Sequence, residues 1–129
     1  MSEIALSLTV LPGTYAVCRL APEASIPEWA ASGGFSSITR TPDEISVVCE
    51  QSLVPEGVTC EADWRCLRVR GPLDFGLTGI LASLAVPLAG EGISIFAIST
   101  YDTDYIMVKA AGLERAVAAL SGSGHVISQ

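Results

Sequence analysis

The chain has 129 residues, of which 50% are apolar and 16% charged, and its formal net charge is -7. This length suits one ordinary domain or two small packed lobes, and the composition is that of a globular protein. The seven basic residues are scattered and supply no basic patch, so no nucleic-acid partner is expected. The low charged fraction suggests that a partner covers some of the apolar surface, and we expect this partner to be a second copy in a homodimer.

Membrane insertion and metal binding are both disfavoured. No stretch reaches the roughly 18 consecutive apolar residues of a membrane span, and no Lys or Arg precedes the apolar segment "IALSLTVL". We therefore expect a cytoplasmic protein without a membrane partner. The cysteines form no C-x-x-C pair, and one histidine cannot complete a usual zinc set, so we expect structural cysteines, no metal and no cofactor.

The first half of the chain predicts a strand, a short helix and a hairpin. These correspond to the segments "GTYAVCRL", "PEWAAS" and "SITRTPDEISVV". Residues 52–64 have the composition of a loop and linker, so the second helix of this half is missing.

The second half gives a clearer pattern. A short strand, "CLRVRG", precedes apolar residues at helical spacing, for which Asp74 is a candidate cap and Pro87 with Gly90 mark the end. The spaced apolar residues are Leu77, Ile80, Leu81, Leu84 and Leu88.

Two strands, a second helix and a last strand follow. The segments "GISIFAISTY" and "DYIMVKA" predict a hairpin that turns at Asp102 and Thr103. A helix from Gly112 and the short strand "HVIS" complete the order strand, helix, strand, strand, helix, strand. This order is the split βαβ, ferredoxin-like arrangement, with both helices on one face of a four-stranded sheet.

The two halves resemble each other. With Ile38 placed on Ile98, an offset of 60 residues, Glu44 falls on Asp104. The sequence therefore predicts an α+β protein of two ferredoxin-like βαββαβ lobes. The first lobe, residues 1–60, is degenerate, and the second, residues 61–129, is complete.

No catalytic set is apparent. His125 lies near the C-terminus without a nameable acid-base partner, and no G-x-S-x-G or phosphate-binding glycine motif is present. Asp102 and Asp104 lack a third neighbouring carboxylate to hold a metal. We expect a structural His125 and no enzyme activity.

A binding site has better support. Gly76 and Gly79 lie where a strand leads into a helix, and a helix N-terminus offers unpaired N–H groups to a carboxylate. Both glycines are also compatible with mere close packing of helix on sheet. In the split βαβ fold, Thr100, Tyr101 and Asp104 would lie near Gly79. Asp104 is then either a solvated turn acid or the partner of a ligand ammonium group, and the pairing favours a site for a free α-amino acid.

The same segments resemble a known family. "DFGLTGILASLAVPLAGEGISIFAISTYDTDYIMV" is similar to the ACT domain, within the branch of tandem bacterial proteins related to the CASTOR amino-acid sensors. The resemblance implies a regulatory module that binds an amino acid at a lobe or chain interface. The chain departs from the sensors, which are longer and have more lobes. The predicted ligand-binding residues are Phe75, Gly76, Thr78, Gly79, Ile80, Leu81, Ser99, Thr100, Tyr101 and Asp104.

The functional hypothesis is thus a cytoplasmic, non-enzymatic protein that binds a free amino acid and regulates something that the sequence does not name. The alternative is a protein-interaction or assembly module with a vestigial pocket, favoured by the low charge and by a sheet that is apolar on both faces.

Overall fold

The computed structural model describes residues 4–73 and 78–129. They divide into two compact units, an N-terminal unit, Gly13–Trp64, and a C-terminal unit formed by residues 4–12, 65–73 and 78–129. The strands of the described residues are β1 (Ser7–Val10), β2 (Tyr15–Leu20), β3 (Ser36–Arg40), β4 (Ile45–Glu50), β5 (Cys60–Val69), β6 (Ile95–Ser99), β7 (Asp104–Lys109) and β8 (Val126–Ser128). The helices are α1 (Ile80–Gly90) and α2 (Leu113–Gly122).

In the N-terminal unit, antiparallel pairing gives the strand order β3-β4-β2 followed by the beginning of β5. The predicted short helix is a 3-10 turn, Glu28–Ala31, and a second 3-10 turn, Gln51–Leu53, stands where a complete lobe would have its second helix. The small core is formed by Ala16, Cys18, Ala30, Ile45, Val47 and Cys49.

In the C-terminal unit, both helices pack on the same core as the strands. Leu84 and Leu88 of α1 and Ala116 and Leu120 of α2 have no exposed surface. The spacing of these residues places each on the inward face of its helix. The strand side chains of this core are Leu8, Val10, Leu67, Val69, Ile106 and Val108. The mixed α+β, ferredoxin-like fold predicted from the sequence is confirmed.

The sheet of the C-terminal unit differs from the predicted one because it has a fifth strand. The order is β6-β7-β5-β1-β8, so β1 lies between β5 and β8. It pairs antiparallel with β5 and parallel with β8. Alternate residues Leu8 and Val10 are 1% and 4% exposed, and their burial holds the segment in this unit. The division proposed from the sequence put residues 1–60 in the first lobe, whereas the described part of this segment before Gly13 lies in the C-terminal unit.

Helix α1 begins at Ile80, after Gly79, whose φ of 78° is left-handed and favours glycine. The predicted end is confirmed at Gly90, the last residue of the helix, whereas Pro87 lies inside the helix and does not end it. A proline removes one hydrogen bond without necessarily ending a helix. The proposed cap, Asp74, and the apolar Leu77 lie outside the described residues.

Candidate functional site

The tip of the β6–β7 hairpin is a four-residue turn closed by a threonine. Ser99 and Asp104 are the last paired residues of the two strands. The backbone N–H of Thr100 donates to the carbonyl of Thr103 over 2.8 Å. The Thr100 hydroxyl donates to the same carbonyl over 3.0 Å and accepts from the Thr103 N–H over 3.2 Å. These bonds fix the length of the turn and the positions of the residues on either side.

The same turn closes the β3–β4 hairpin of the N-terminal unit. The Thr41 N–H donates to the carbonyl of Glu44 over 2.9 Å, and the Thr41 hydroxyl donates to it over 3.1 Å. The hydroxyl also accepts from the Glu44 N–H over 3.1 Å. Thr41 therefore corresponds to Thr100, an offset of 59 residues.

The repeat predicted from the sequence is thus present in these hairpins, but its offset of 60 is wrong by one residue. The counterpart of Asp104 is the fully buried Ile45, since each directly follows its turn. Asp43 corresponds to Asp102, an acid that both turns share. A one-residue slip exchanges the two faces of a strand, so this correction decides which acid is particular to the second hairpin.

The hairpin tip is held by the loop that follows β5. The Thr103 hydroxyl, on a side chain only 4% exposed, donates to the Val69 carbonyl over 2.7 Å. The Leu73 N–H donates to the Asp102 carbonyl over 2.7 Å. At Gly71, a Cβ atom would lie 2.9 Å from the Asp102 carbonyl oxygen, so the close approach requires glycine.

A cavity of about 180 Å³ lies at this tip. Asp104 is half-buried in its wall, while Tyr101 is 81% exposed at the surface. No hydrogen bond or ion pair joins the Asp104 carboxylate to another side chain of residues 4–73 and 78–129. Ile80, the first residue of α1, brings the start of that helix to the cavity. The full lining is Leu73, Ile80, Ser99, Thr100, Tyr101, Asp102, Thr103 and Asp104.

The predicted ligand-binding residues are not all in one place. Five of them, Ile80, Ser99, Thr100, Tyr101 and Asp104, line the cavity at the hairpin tip. Thr78 and Gly79 line a second cavity of about 490 Å³ beside α1, and Leu81 is 43% exposed and lines neither. Phe75 and Gly76 lie outside the described residues.

Sequence reasoning missed Leu73 as a lining residue, left Thr103 out of the predicted ligand-binding residues, and gave Asp102 to the turn alone. The available signal was the pair Gly71 and Pro72, which follows the end of β5 after one intervening residue and predicts a break in the strand.

His125 lies in the wall of the second cavity with both ring nitrogens bonded. Nδ1 accepts the Leu6 N–H over 3.1 Å, so Nε2 carries the proton and donates to the Ser83 carbonyl over 3.0 Å. The side chain is 4% exposed. The prediction of a structural histidine is confirmed, and its role is to join the segment before β1 to α1.

Two further observations concern the described residues. Within residues 4–73 and 78–129, no three His, Cys, Asp or Glu side chains form a group that could hold a metal ion. In the same part of the chain, neither helix has the length and apolar character needed to cross a bilayer.

The described residues form a small module built on the ferredoxin-like plan. Residues 59–122 match the family model of the ACT domain, and residues 13–57 match a second model that describes an N-terminal domain. The matched segment, residues 59–122, belongs to the ACT domain family.

A mouse protein named "Cytosolic arginine sensor for mTORC1 subunit 1" is 34% identical over 99 residues, which are 65% of this chain and 30% of the sensor. The chain spans about half or less of the length of the curated relatives it matches.

The crystal structure of a protein from Agrobacterium tumefaciens matches with a TM-score of 0.93 and 39% identity, over 98% of this chain and 96% of that one. The regulatory subunit of aspartate kinase from Thermus thermophilus matches with a TM-score of 0.65 and 11% identity, over 95% and 99% of the chains, and shows the shared fold.

Proposed function

We propose that the protein is a regulatory module that binds a free α-amino acid at the hairpin-tip cavity of its C-terminal unit. The observation that carries the proposal is the half-buried Asp104 carboxylate, without a partner side chain among the described residues, in the wall of that cavity. A buried or half-buried charge is stable when an opposite charge meets it, and the ammonium group of an amino acid supplies one.

The other end of the ligand has a complementary partner. Gly79, the N-cap of α1, has no side chain to occupy the N–H groups of the first turn, and Ile80 lies at the cavity. A helix N-terminus attracts a carboxylate through these N–H groups and through the helix dipole. Thr100 and Tyr101 add hydroxyl groups beside the cavity. At roughly 30 Å³ per water molecule, the cavity has room for about six waters, which is enough for the main-chain end of an amino acid.

Arginine is the first amino acid to test, because the mouse relative is named as an arginine sensor. The similarity to sensor and regulatory proteins also supports a protein without a reaction of its own, and the relative's name supports a cytoplasmic location. We propose both as properties of this chain.

Calorimetric titration with arginine and then with each other amino acid tests the proposal. At a hundredfold excess over the dissociation constant, a ligand stabilises the folded protein by about 2.7 kcal/mol, which a thermal shift detects. Asp104→Asn removes the charge but keeps the shape. It should weaken binding by about ten- to a hundredfold, because hydrogen bonds to charged groups contribute about 1.5–3 kcal/mol.

The matched control is Asp43→Asn, which removes the same charge from the corresponding position of the β3–β4 turn. The Asp43 side chain is exposed and does not line the cavity, so affinity should stay close to that of the unmodified protein. Equal losses in both variants would reject Asp104 as the specific contact. Absence of heat and of thermal shift with every amino acid would reject amino-acid binding itself.

The assembly module is the second candidate, and exposed apolar side chains favour it. In the C-terminal unit, Leu81 and Val86 of α1 are 43% and 68% exposed, and Val126 of β8 is 64% exposed. Apolar surface of this kind supports the proposal of a homodimer. Light scattering beside the titration separates the candidates, since an assembly module alone forms dimers but gives no ligand response.

A further inference from the structure

Three cysteines form a row across adjacent strands of the N-terminal unit. Cys18 of β2 lies opposite Cys60 of β5 on one side and opposite Val47 of β4 on the other. Cys49 is two residues beyond Val47, so it faces the same side of the sheet as Cys18. Cys60 is paired directly with Cys18, so its side chain lies on that side as well. The three cysteines therefore share one face of the sheet on adjacent strands.

The backbone register makes Cys18 and Cys60 the closest kind of cross-strand pair. The Arg19 N–H donates to the Thr59 carbonyl over 3.0 Å, which marks Arg19 and Thr59 as a hydrogen-bonded pair of the antiparallel ladder. The next pair, Cys18 and Cys60, is then a non-hydrogen-bonded pair, for which the Cα atoms are about 4.5 Å apart. This separation lies within the range of about 4.4–6.8 Å that a disulfide spans.

The thiols of Cys18 and Cys60 differ in their contact with solvent. Cys60 is exposed, whereas Cys18 and Cys49 are 1% and 0% exposed. Burial raises the pKa of the Cys18 thiol to about 12, so Cys18 stays protonated and is a poor first nucleophile. Cys60 is the thiol that a dissolved oxidant reaches first.

We propose that Cys18 and Cys60 are a redox-active pair that closes an intrachain disulfide when a peroxide oxidises Cys60. The Cys60 thiolate attacks one oxygen of the peroxide and the O–O bond breaks, which gives a sulfenic acid at Cys60. With hydrogen peroxide, the leaving group is hydroxide, which is protonated to the first water. The Cys18 sulfur then attacks the Cys60 sulfur, loses its proton, and displaces hydroxide, which leaves as the second water. Two thiols lose two electrons in total, and hydrogen peroxide is reduced to two waters.

The other cysteines are less well placed to take part. Cys49 lies opposite Ala16, and its relation to Cys18 is diagonal, at the longer spacing of about 7–8 Å. Cys66 is fully buried in the part of β5 that belongs to the C-terminal unit. The structural role predicted from the sequence is retained for Cys49 and Cys66, and a transient disulfide at Cys18 and Cys60 is of the kind that reducing compartments allow.

The test treats the reduced full-length chain with hydrogen peroxide, blocks remaining thiols with iodoacetamide under denaturing conditions, and measures the intact mass. If Cys18 and Cys60 form the disulfide, iodoacetamide should modify only two of the four cysteines of the oxidised chain, whose mass should also be lower by two hydrogens. Dithiothreitol should reverse the oxidation fully. Cleavage after glutamate separates Cys49 from Cys60, because Glu50 and Glu56 lie between them. The cross-linked fragment should contain Cys18 and Cys60.

Matched variants keep the inference falsifiable. Cys18→Ser and Cys60→Ser should each abolish the intrachain link, and Cys66→Ala should retain it. In Cys18→Ser, Cys60 should instead accumulate as the sulfenic or a higher acid, which a dimedone label detects. A link that includes Cys49 or Cys66, a wild-type dimer joined through Cys60, or four blocked thiols after peroxide treatment would each overturn the assignment.

Discussion

The hydrogen bond from Thr103 to Val69 should stabilise the C-terminal unit substantially, and Thr103→Val tests this directly. Valine has nearly the shape of threonine but lacks the hydroxyl, so the substitution removes the 2.7 Å bond and leaves the side-chain volume in place. The site is 4% exposed, so water has little access to replace the lost donor. The Val69 carbonyl then loses this partner in a buried environment.

The expected cost follows from that burial. Leaving a buried acceptor unsatisfied lowers the free energy of unfolding by about 1–3 kcal/mol. For a chain of this length, about 4 °C per kcal/mol gives a fall in the melting temperature of about 4–12 °C. Urea unfolding followed by circular dichroism should show a lower midpoint with an unchanged m-value, because the surface exposed on unfolding does not change.

Thr100→Val is the matched control, because it is the same substitution three residues away in the same turn. The Thr100 hydroxyl also bonds to the backbone, but the residue is exposed, so water can take over both bonds. Its loss should be at most about 1 kcal/mol. If Thr103→Val costs no more than Thr100→Val, the Val69 bond does not hold the hairpin tip and the explanation is wrong.

Two further predictions concern close packing and burial. Gly71→Ala should destabilise the protein by about 1–3 kcal/mol, because the new Cβ would lie 2.9 Å from the Asp102 carbonyl oxygen. Gly122→Ala is the control and should stabilise the protein, because Gly122 is a helical position with open space around it. Equal changes in stability in the two variants would contradict this explanation. Burial raises the pKa of the Cys66 thiol from 9.0 to about 12, so above pH 9 the unfolded chain loses this proton while the folded chain keeps it. The free energy of unfolding should therefore fall from pH 9 towards pH 12, and it should fall less steeply in Cys66→Ala. Urea midpoints measured across pH 8–11 test this. Equal pH dependence of the midpoint in the two proteins would refute the explanation.

Local patterns in the sequence predicted the elements of the C-terminal unit well. The spacing of apolar residues identified α2, and two apolar runs around a polar knot identified the β6–β7 hairpin. These signals are strong because each element is built from neighbouring residues. The position of β1 carries no such signal, since Leu8 pairs with Ile127, from the other end of the chain. Only the burial of β1 in this core selects that partner.

The site was predicted in part for the same reason. Asp104 and Thr100 belong to the hairpin itself, so a local motif sufficed to bring them together. Thr103 and Leu73 depend on how the loop after β5 meets the turn, which is a contact across about 30 residues that periodicity does not encode. The offset of the repeat was misjudged because identical residue types were aligned, whereas the hydrogen bonds of Thr41 and Thr100 fix the true register.

The corrected register strengthens the case for Asp104. Two hairpins of one chain use the same threonine-closed turn, and the residue directly after the turn is Ile45 in one and Asp104 in the other. Ile45 is fully buried, so the turn and the following strand tolerate an apolar residue there. The fold therefore does not require an acid at this position, and a half-buried carboxylate is costly unless it is paired. A residue that departs from what its local structure needs is expected at a functional site, and Asp104 is such a residue, whereas Asp102 has its counterpart in Asp43.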